Sequence, residues 1–184
     1  MSSKDEKKKV GSFAAYNSLL ARYPTGMNSL QGAVIQAISV LVSNAVAGEG
    51  ADWHGVRTMT IVSTTFITPM LMHFYGFLGK SRLSMAPKMA VDQLLFSPCF
   101  TFGIITYRAV VSAALTNGAP PSFGEIWGQV VAMAGILPGI MVKSWAFWVP
   151  LRFLILNFVP PMLHIVVGSA LALIWNVILQ LALR

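Results

Sequence analysis

The chain has 184 residues, of which 55% are apolar types and only 10% are charged, and its formal net charge is +7. Soluble domains carry roughly 25% charged residues, and surface-to-volume scaling leaves a fold of this size unable to hide so much apolar surface from water. The composition therefore excludes an ordinary soluble domain and points to an integral membrane protein.

The charge is concentrated early: Lys4, Lys7, Lys8 and Lys9 precede any long apolar stretch. They are mixed with Asp5 and Glu6 and no apolar run follows directly, so residues 1–9 read as a disordered basic tip. A signal peptide needs that apolar run, and a cleaved presequence is poor in acids. No basic-aromatic motif accompanies the lysines, so no nucleic acid is expected as a partner; anionic lipid headgroups are. Residues 10–184 then form a single membrane domain, in which 10–22 is a short interfacial amphipathic segment with Phe13, Tyr16, Leu19 and Leu20 on one side.

A crossing helix needs about 20 mostly apolar residues. Residues 28–47 are the first such stretch, free of charge, and 49–57 the loop that follows. Residues 58–78 are the second, closed by a basic loop with Lys80, Arg82, Pro87 and Lys88. The third runs over 91–106, and to 114 if Arg108 sits at an interface. TNGAPPS at 116–122 is a loop by its turn residues. The fourth clear span is 162–183, interrupted only by His164, Asn176 and Gln180.

Between the third and fourth lies an ambiguous stretch, 123–160, apolar but carrying Glu125, Lys143, Arg152, Pro138 and Pro150. Interior prolines kink or end helices. The expectation is an all-α, polytopic membrane helical bundle with four clear spans plus a broken, membrane-embedded segment, either interfacial or contributing a fifth crossing. Four crossings place both termini on one face with Lys4, Lys7, Lys8, Lys9, Arg22, Lys80, Arg82, Lys88 and Arg184, nine of the 13 basic residues.

Few residues are equipped for chemistry. Cys99 is the only cysteine, so neither an internal disulfide nor a cysteine metal cluster is available. His54, His73 and His164 lack metal-ligand spacing, and no serine has a nearby His-acid set, so no catalytic, metal or cofactor site is expected. Asp92, beside Gln93, is the only acid inside an expected span. Intramembrane acids are costly and often functional, but Lys88 one turn earlier offers an i, i+4 ion pair and a structural reading. Arg152 has three readings: a partner for Asp92, the lining of an anion path, or a side chain snorkelling to headgroups. Gly124–Gly128 and Gly135–Gly139 each make a G-x-x-x-G spacing, which permits close helix approach. Trp127, Trp145, Trp148 and Trp175 suit packing or interfacial anchoring.

In order along the chain stand Tyr23-Pro24, Gly32, Asp52, Arg57-Thr58, then Pro69, His73, Tyr75 and Leu78, then Lys88, Asp92-Gln93 and Pro98. Trp145, Trp148 and Pro150 follow as W-x-x-W-x-P, then Phe158-Val159-Pro160, and Trp175-Asn176 closes the series. This pattern resembles the eukaryotic Mpv-seventeen/peroxisomal membrane protein (twenty-two kilodalton) family, small proteins with four membrane spans. The departures are Val40 where the family commonly has Asp, Asn44 for Gln, Arg152 for Gln, Ile155 for Asn and His164 for Arg.

The resemblance implies a small channel or metabolite-permeability protein, of the mitochondrial inner membrane first and the peroxisomal membrane second. The alternative is a non-catalytic structural subunit of a larger, respiratory-type membrane complex, with lipids, other subunits or a second copy as partners. Asp92-Gln93 and the broken helices favour the first; Val40 and Ile155, which remove polar lining, favour the second.

Overall fold

The computed structural model describes residues 16, 18–158 and 164–182, and among them every regular element is helical. The basic tip at 1–9 and Pro160 lie outside the described residues. We number the helices α1 Pro24–Val46, α2 Trp53–Lys80, α3 Met85–Asn117, α4 Phe123–Phe158 and α5 His164–Ala182.

Helix α1 inverts the pattern of a soluble helix. Its buried positions are Gln36, Ser39, Val40, Ser43 and Asn44, spaced three and four apart on one face. Leu30, Val34, Ile38, Val42 and Val46, each four residues on, are exposed. Lipid solvates the outer stripe, while small polar side chains inside let neighbouring helices approach. Pro24 opens the helix, and Gly48 closes it at φ 72°, with the Glu49 N–H reaching the Asn44 carbonyl at 2.9 Å. That left-handed turn is one that glycine adopts without strain.

Helices α2 and α3 share one irregularity. Each contains a π-turn, Ser63–Ile67 in α2 and Val91–Phe96 in α3, followed within two residues by a proline. The Thr68 N–H reaches back to the Ser63 carbonyl and the Ser97 N–H to that of Asp92, each five residues earlier. Pro69 and Pro98 have no N–H, and their rings would crowd the carbonyl four residues before; a widened turn relieves both problems. Aromatic rings join the two turns: Phe74 stacks on Phe96 at 3.6 Å, Phe96 on Phe100 at 4.9 Å and Phe66 on Phe100 at 6.1 Å, while Tyr107 tilts against Phe66 at 5.5 Å. Two glycines make room here. A Cβ at Gly103 would lie 2.7 Å from Phe66 Cζ, and one at Gly32 would lie 2.7 Å from Ser63 Oγ.

Asp52 caps α2 by accepting from the Gly55 N–H at 2.8 Å. His54, expected in a loop, lies in the first turn of that helix, 2.9 Å from Ser112 Oγ. Ser122 and Glu125 cap α4 reciprocally, the capping-box arrangement.

The stretch 123–160 departs from expectation. In place of a broken segment, Phe123–Phe158 is one helix of 36 residues with Pro138 and Pro150 inside it. Within a bundle, neighbouring helices and local adjustment satisfy the carbonyls that a proline frees, so proline does not have to end a helix there. Four helices are long and apolar enough to cross a membrane: Pro24–Val46, Trp53–Lys80, Met85–Asn117 and, within α4, Phe123–Ile155. The last helix, α5, contributes a shorter apolar run, Ala170–Leu181.

Each helix packs on the next in sequence, and α5 returns to α1, so the five close into a ring. Ser43, near the end of α1, lies 3.4 Å from Gln180, near the end of α5, so these two run parallel. One apolar cluster, Val40, Met59, Val62, Ile67 and Val111, ties α1 to α2 and α3. A second, Ile105, Ile140 and Met141 with Leu179 against it, ties α3 to α4 and α5.

Candidate functional site

The ring surrounds a half-open cavity of about 770 Å³ to which all five helices contribute. Gln31 and Gln36 enter it from α1, Ser63, Thr68 and Tyr75 from α2, and Asp92, Gln93 and Thr101 from α3. Ser144, Trp148 and Arg152 come from α4, and Asn176 and Gln180 from α5. Leu71, Phe96, Ile104 and Leu179 supply apolar wall between them. The π-turns expose their own side chains to this space: Ser63 and Ile67 from one, Asp92, Gln93 and Phe96 from the other.

At one end a polar chain crosses three helices. Arg152 Nη2 donates to the Tyr75 hydroxyl at 2.9 Å, and that hydroxyl donates to Asp92 Oδ1 at 3.0 Å. Gln93 Nε2 donates to the other carboxylate oxygen at 2.8 Å. Trp145 Nε1 binds the Gln93 carbonyl at 2.9 Å, fixing α4 to the π-turn of α3. The guanidinium also lies 5.6 Å from the Tyr75 ring centre and 5.8 Å from that of Trp148, within cation–π range of both.

Asp92, 8% exposed, thus has both oxygens engaged without an ion pair. The pairing with Lys88 that the i, i+4 spacing offers does not form; Lys88 is half-buried outside the cavity. Nor does Arg152 touch the carboxylate directly, since Tyr75 stands between them.

Several buried polar atoms of the lining have no hydrogen-bond partner among the described residues: Gln36 Oε1, Ser63 Oγ, Gln93 Oε1 and Gln180 Nε2. In a closed apolar core each would cost about 1–3 kcal/mol. Their residues border the cavity, but these atoms are themselves covered.

The remaining motif residues divide. Pro69 and Pro98 follow the π-turns, and Trp148 and Trp175 pack edge to face 6.4 Å apart. With Trp145 these tryptophans face the interior, whereas Trp53 and Trp127 are largely exposed. His73 is outside the cavity and turns back on its own helix, Nδ1 lying 2.7 Å from the Pro69 carbonyl. Pro150 is exposed on α4. Val40 packs in the core at 2% exposure and does not line the cavity, so its lack of charge removes no lining, while Ile155 does line it.

Gln36, Ser63 and Gln180 had not been anticipated as lining. For α1 the signal was present: Gln36, Ser39 and Ser43 repeat at helical spacing inside an apolar stretch. Tyr75 stood out as a motif residue, but its bridging role depends on contacts between residues 77 apart.

A sequence profile of the Mpv17 / PMP22 family matches residues 125–180. The mitochondrial inner membrane protein Mpv17 of Drosophila melanogaster is 30% identical over 143 residues, covering 72% of this chain and 79% of that protein. PXMP2/4 family protein 2 of Dictyostelium discoideum is 25% identical over 134 residues, covering 70% of this chain and 64% of its own length. The Mpv17 protein of Xenopus laevis is 24% identical over 176 residues, covering 91% and 94%. No solved structure matches the chain. With a relative at 30% identity covered over most of its length, this chain belongs to the Mpv17 / PMP22 family.

Proposed function

We propose that the chain provides a route for small polar solutes across an organellar membrane, with the inner cavity as its central chamber. The observation that carries this reading is the cavity itself: about 770 Å³ of space with mainly apolar walls, into which every helix places at least one polar side chain, inside a bundle whose outer face is apolar. That volume lies in the range that small-molecule pockets occupy. On this reading the chain catalyses no reaction, and lipid is its surrounding solvent. The names of the relatives favour the mitochondrial inner membrane, with the peroxisomal membrane second.

Purified protein in planar bilayers is expected to conduct, and Asp92→Asn to change the conductance. Absence of conductance and of solute efflux from liposomes would remove the reading. Fractionation of cells expressing a tagged chain tests the organelle.

A second reading, a structural subunit of a larger membrane complex, is favoured by the outer face of α4. Gly135 and Gly139 have nothing within 4 Å of an added Cβ. Lys143, two turns on from Gly135, is exposed level with the packed Ile140–Met141 cluster. Lysine on a lipid-facing surface is costly, and a partner helix carrying a carboxylate at that depth would relieve it. Migration with one large assembly at fixed stoichiometry in mild detergent, lost on Lys143→Glu, would establish this reading over the first.

A further inference from the structure

We propose that the cavity holds a binding site for a small anion, a carboxylate or a phosphate, with the Arg152 guanidinium as its receptor. The proposal rests on the cavity reading above and adds the charge of the solute.

Arg152 is placed as few intramembrane arginines are. Of its five N–H donors, one is engaged among the described residues, the Nη2 bond to Tyr75. Its Nε is covered and has no hydrogen-bond partner among the described residues, and the residue lines the cavity. Tyr75 and Trp148 flank the guanidinium at 5.6 and 5.8 Å. Contacts to two rings and a hydroxyl hold the plane, and the remaining Nη1 and Nη2 donors form a fork of fixed geometry. Such a fork matches a carboxylate or phosphate bidentately.

Arg152 shares the cavity with one carboxylate among the described residues, Asp92. Asp92 accepts bonds from Tyr75 and Gln93 with its two oxygens, and the Tyr75 hydroxyl stands between it and the guanidinium. An arginine held inside a membrane without a carboxylate contact is costly, and a mobile anion removes that cost. Snorkelling does not account for Arg152, because its bonds turn it inward to Tyr75 on α2 and not outward along α4.

The phosphate chemistry has two sources, a free solute or a lipid headgroup, and the test separates them. The full chain is placed in phosphatidylcholine nanodiscs and titrated with inorganic phosphate, reading intrinsic tryptophan emission, to which Trp148 beside Arg152 contributes. Saturable change is expected, weakened at least tenfold in Arg152→Gln and partly restored in Arg152→Lys. Asp92→Asn, which removes the one negative lining charge, is expected to bind phosphate more tightly than the parent. Repeating the titration with phosphatidic acid in the disc identifies the source: loss of the phosphate response there names the headgroup as occupant, and persistence names the free solute. Either supports the site.

Should Arg152→Gln fail to fold, the Asp92→Asn and Arg152→Lys titrations still decide. A parent protein with no saturable response in either disc overturns the proposal, as does an Arg152→Gln protein that binds phosphate like the parent. Conduction without phosphate binding would remove this site and leave the route standing; phosphate binding without conduction would do the reverse.

Discussion

Helices α2 and α3 use the same special residues as α4, to opposite effect. Around the π-turns, glycine is where a neighbour comes closest: Gly103 meets Phe66, and Gly32 on α1 meets Ser63, whereas Gly76 and Gly79 farther along α2 face open space. In α4, Gly135 and Gly139 face open space. Proline follows the pattern: Pro69 and Pro98 follow widened turns that deliver side chains to the cavity, whereas Pro138 and Pro150 sit inside a continuous helix. The contrast teaches that residue type does not reveal its use in a membrane helix. One half of the ring is specified by its own contacts, and α4 leaves a face for whatever surrounds it.

The comparison can be broken at several points. The largest effect is all-or-none. If α4 crosses as a single helix along with the other four, the termini lie on opposite faces of the membrane. Single cysteines at Ser3 and Leu183, in a Cys99→Ser background, should then react with an impermeant maleimide from opposite sides. Labelling of both from one side would mean that one of the five helices does not cross.

Next comes the glycine contrast. Gly103→Val should destabilise by about 1–3 kcal/mol, the usual cost of overpacking, visible as an earlier thermal unfolding transition in detergent. Smaller is Tyr75→Phe, which removes the hydroxyl joining Arg152 to Asp92. Two intramembrane hydrogen bonds at about 0.6 kcal/mol each give roughly 1 kcal/mol. Smallest is Gly139→Ala, expected within about 0.5 kcal/mol of the parent unless a partner helix occupies that face, in which case its association weakens and the stability of the isolated chain does not.

Much of the fold was legible because lipid imposes few solutions. Uncharged stretches of hydrocarbon length had to be helices, and the first three lie where α1, α2 and α3 do, each starting four to six residues earlier because the helices continue past the apolar run. The continuity of α4 was not legible, since Pro138 and Pro150 read as breaks in any sequence and only neighbouring helices decide otherwise. Within the site, Asp92, Gln93 and Arg152 stood out as polar groups in apolar surroundings. Their connection did not, because local spacing offered Asp92 a lysine one turn away and the fold gave it Tyr75 from another helix.

Each π-turn holds one residue more than the regular helix around it. A turn closed five residues back absorbs its extra residue, so the helix beyond keeps the rotational phase of the helix before it. Removing a single residue from Ser63–Ile67 would let the backbone regularise and leave Tyr75 close to its place beside Asp92 and Arg152, whereas the same deletion in the regular helix after Pro69 would swing Tyr75 by about 100°. Each π-turn is therefore a place where the chain can lose one codon and keep its interior in register.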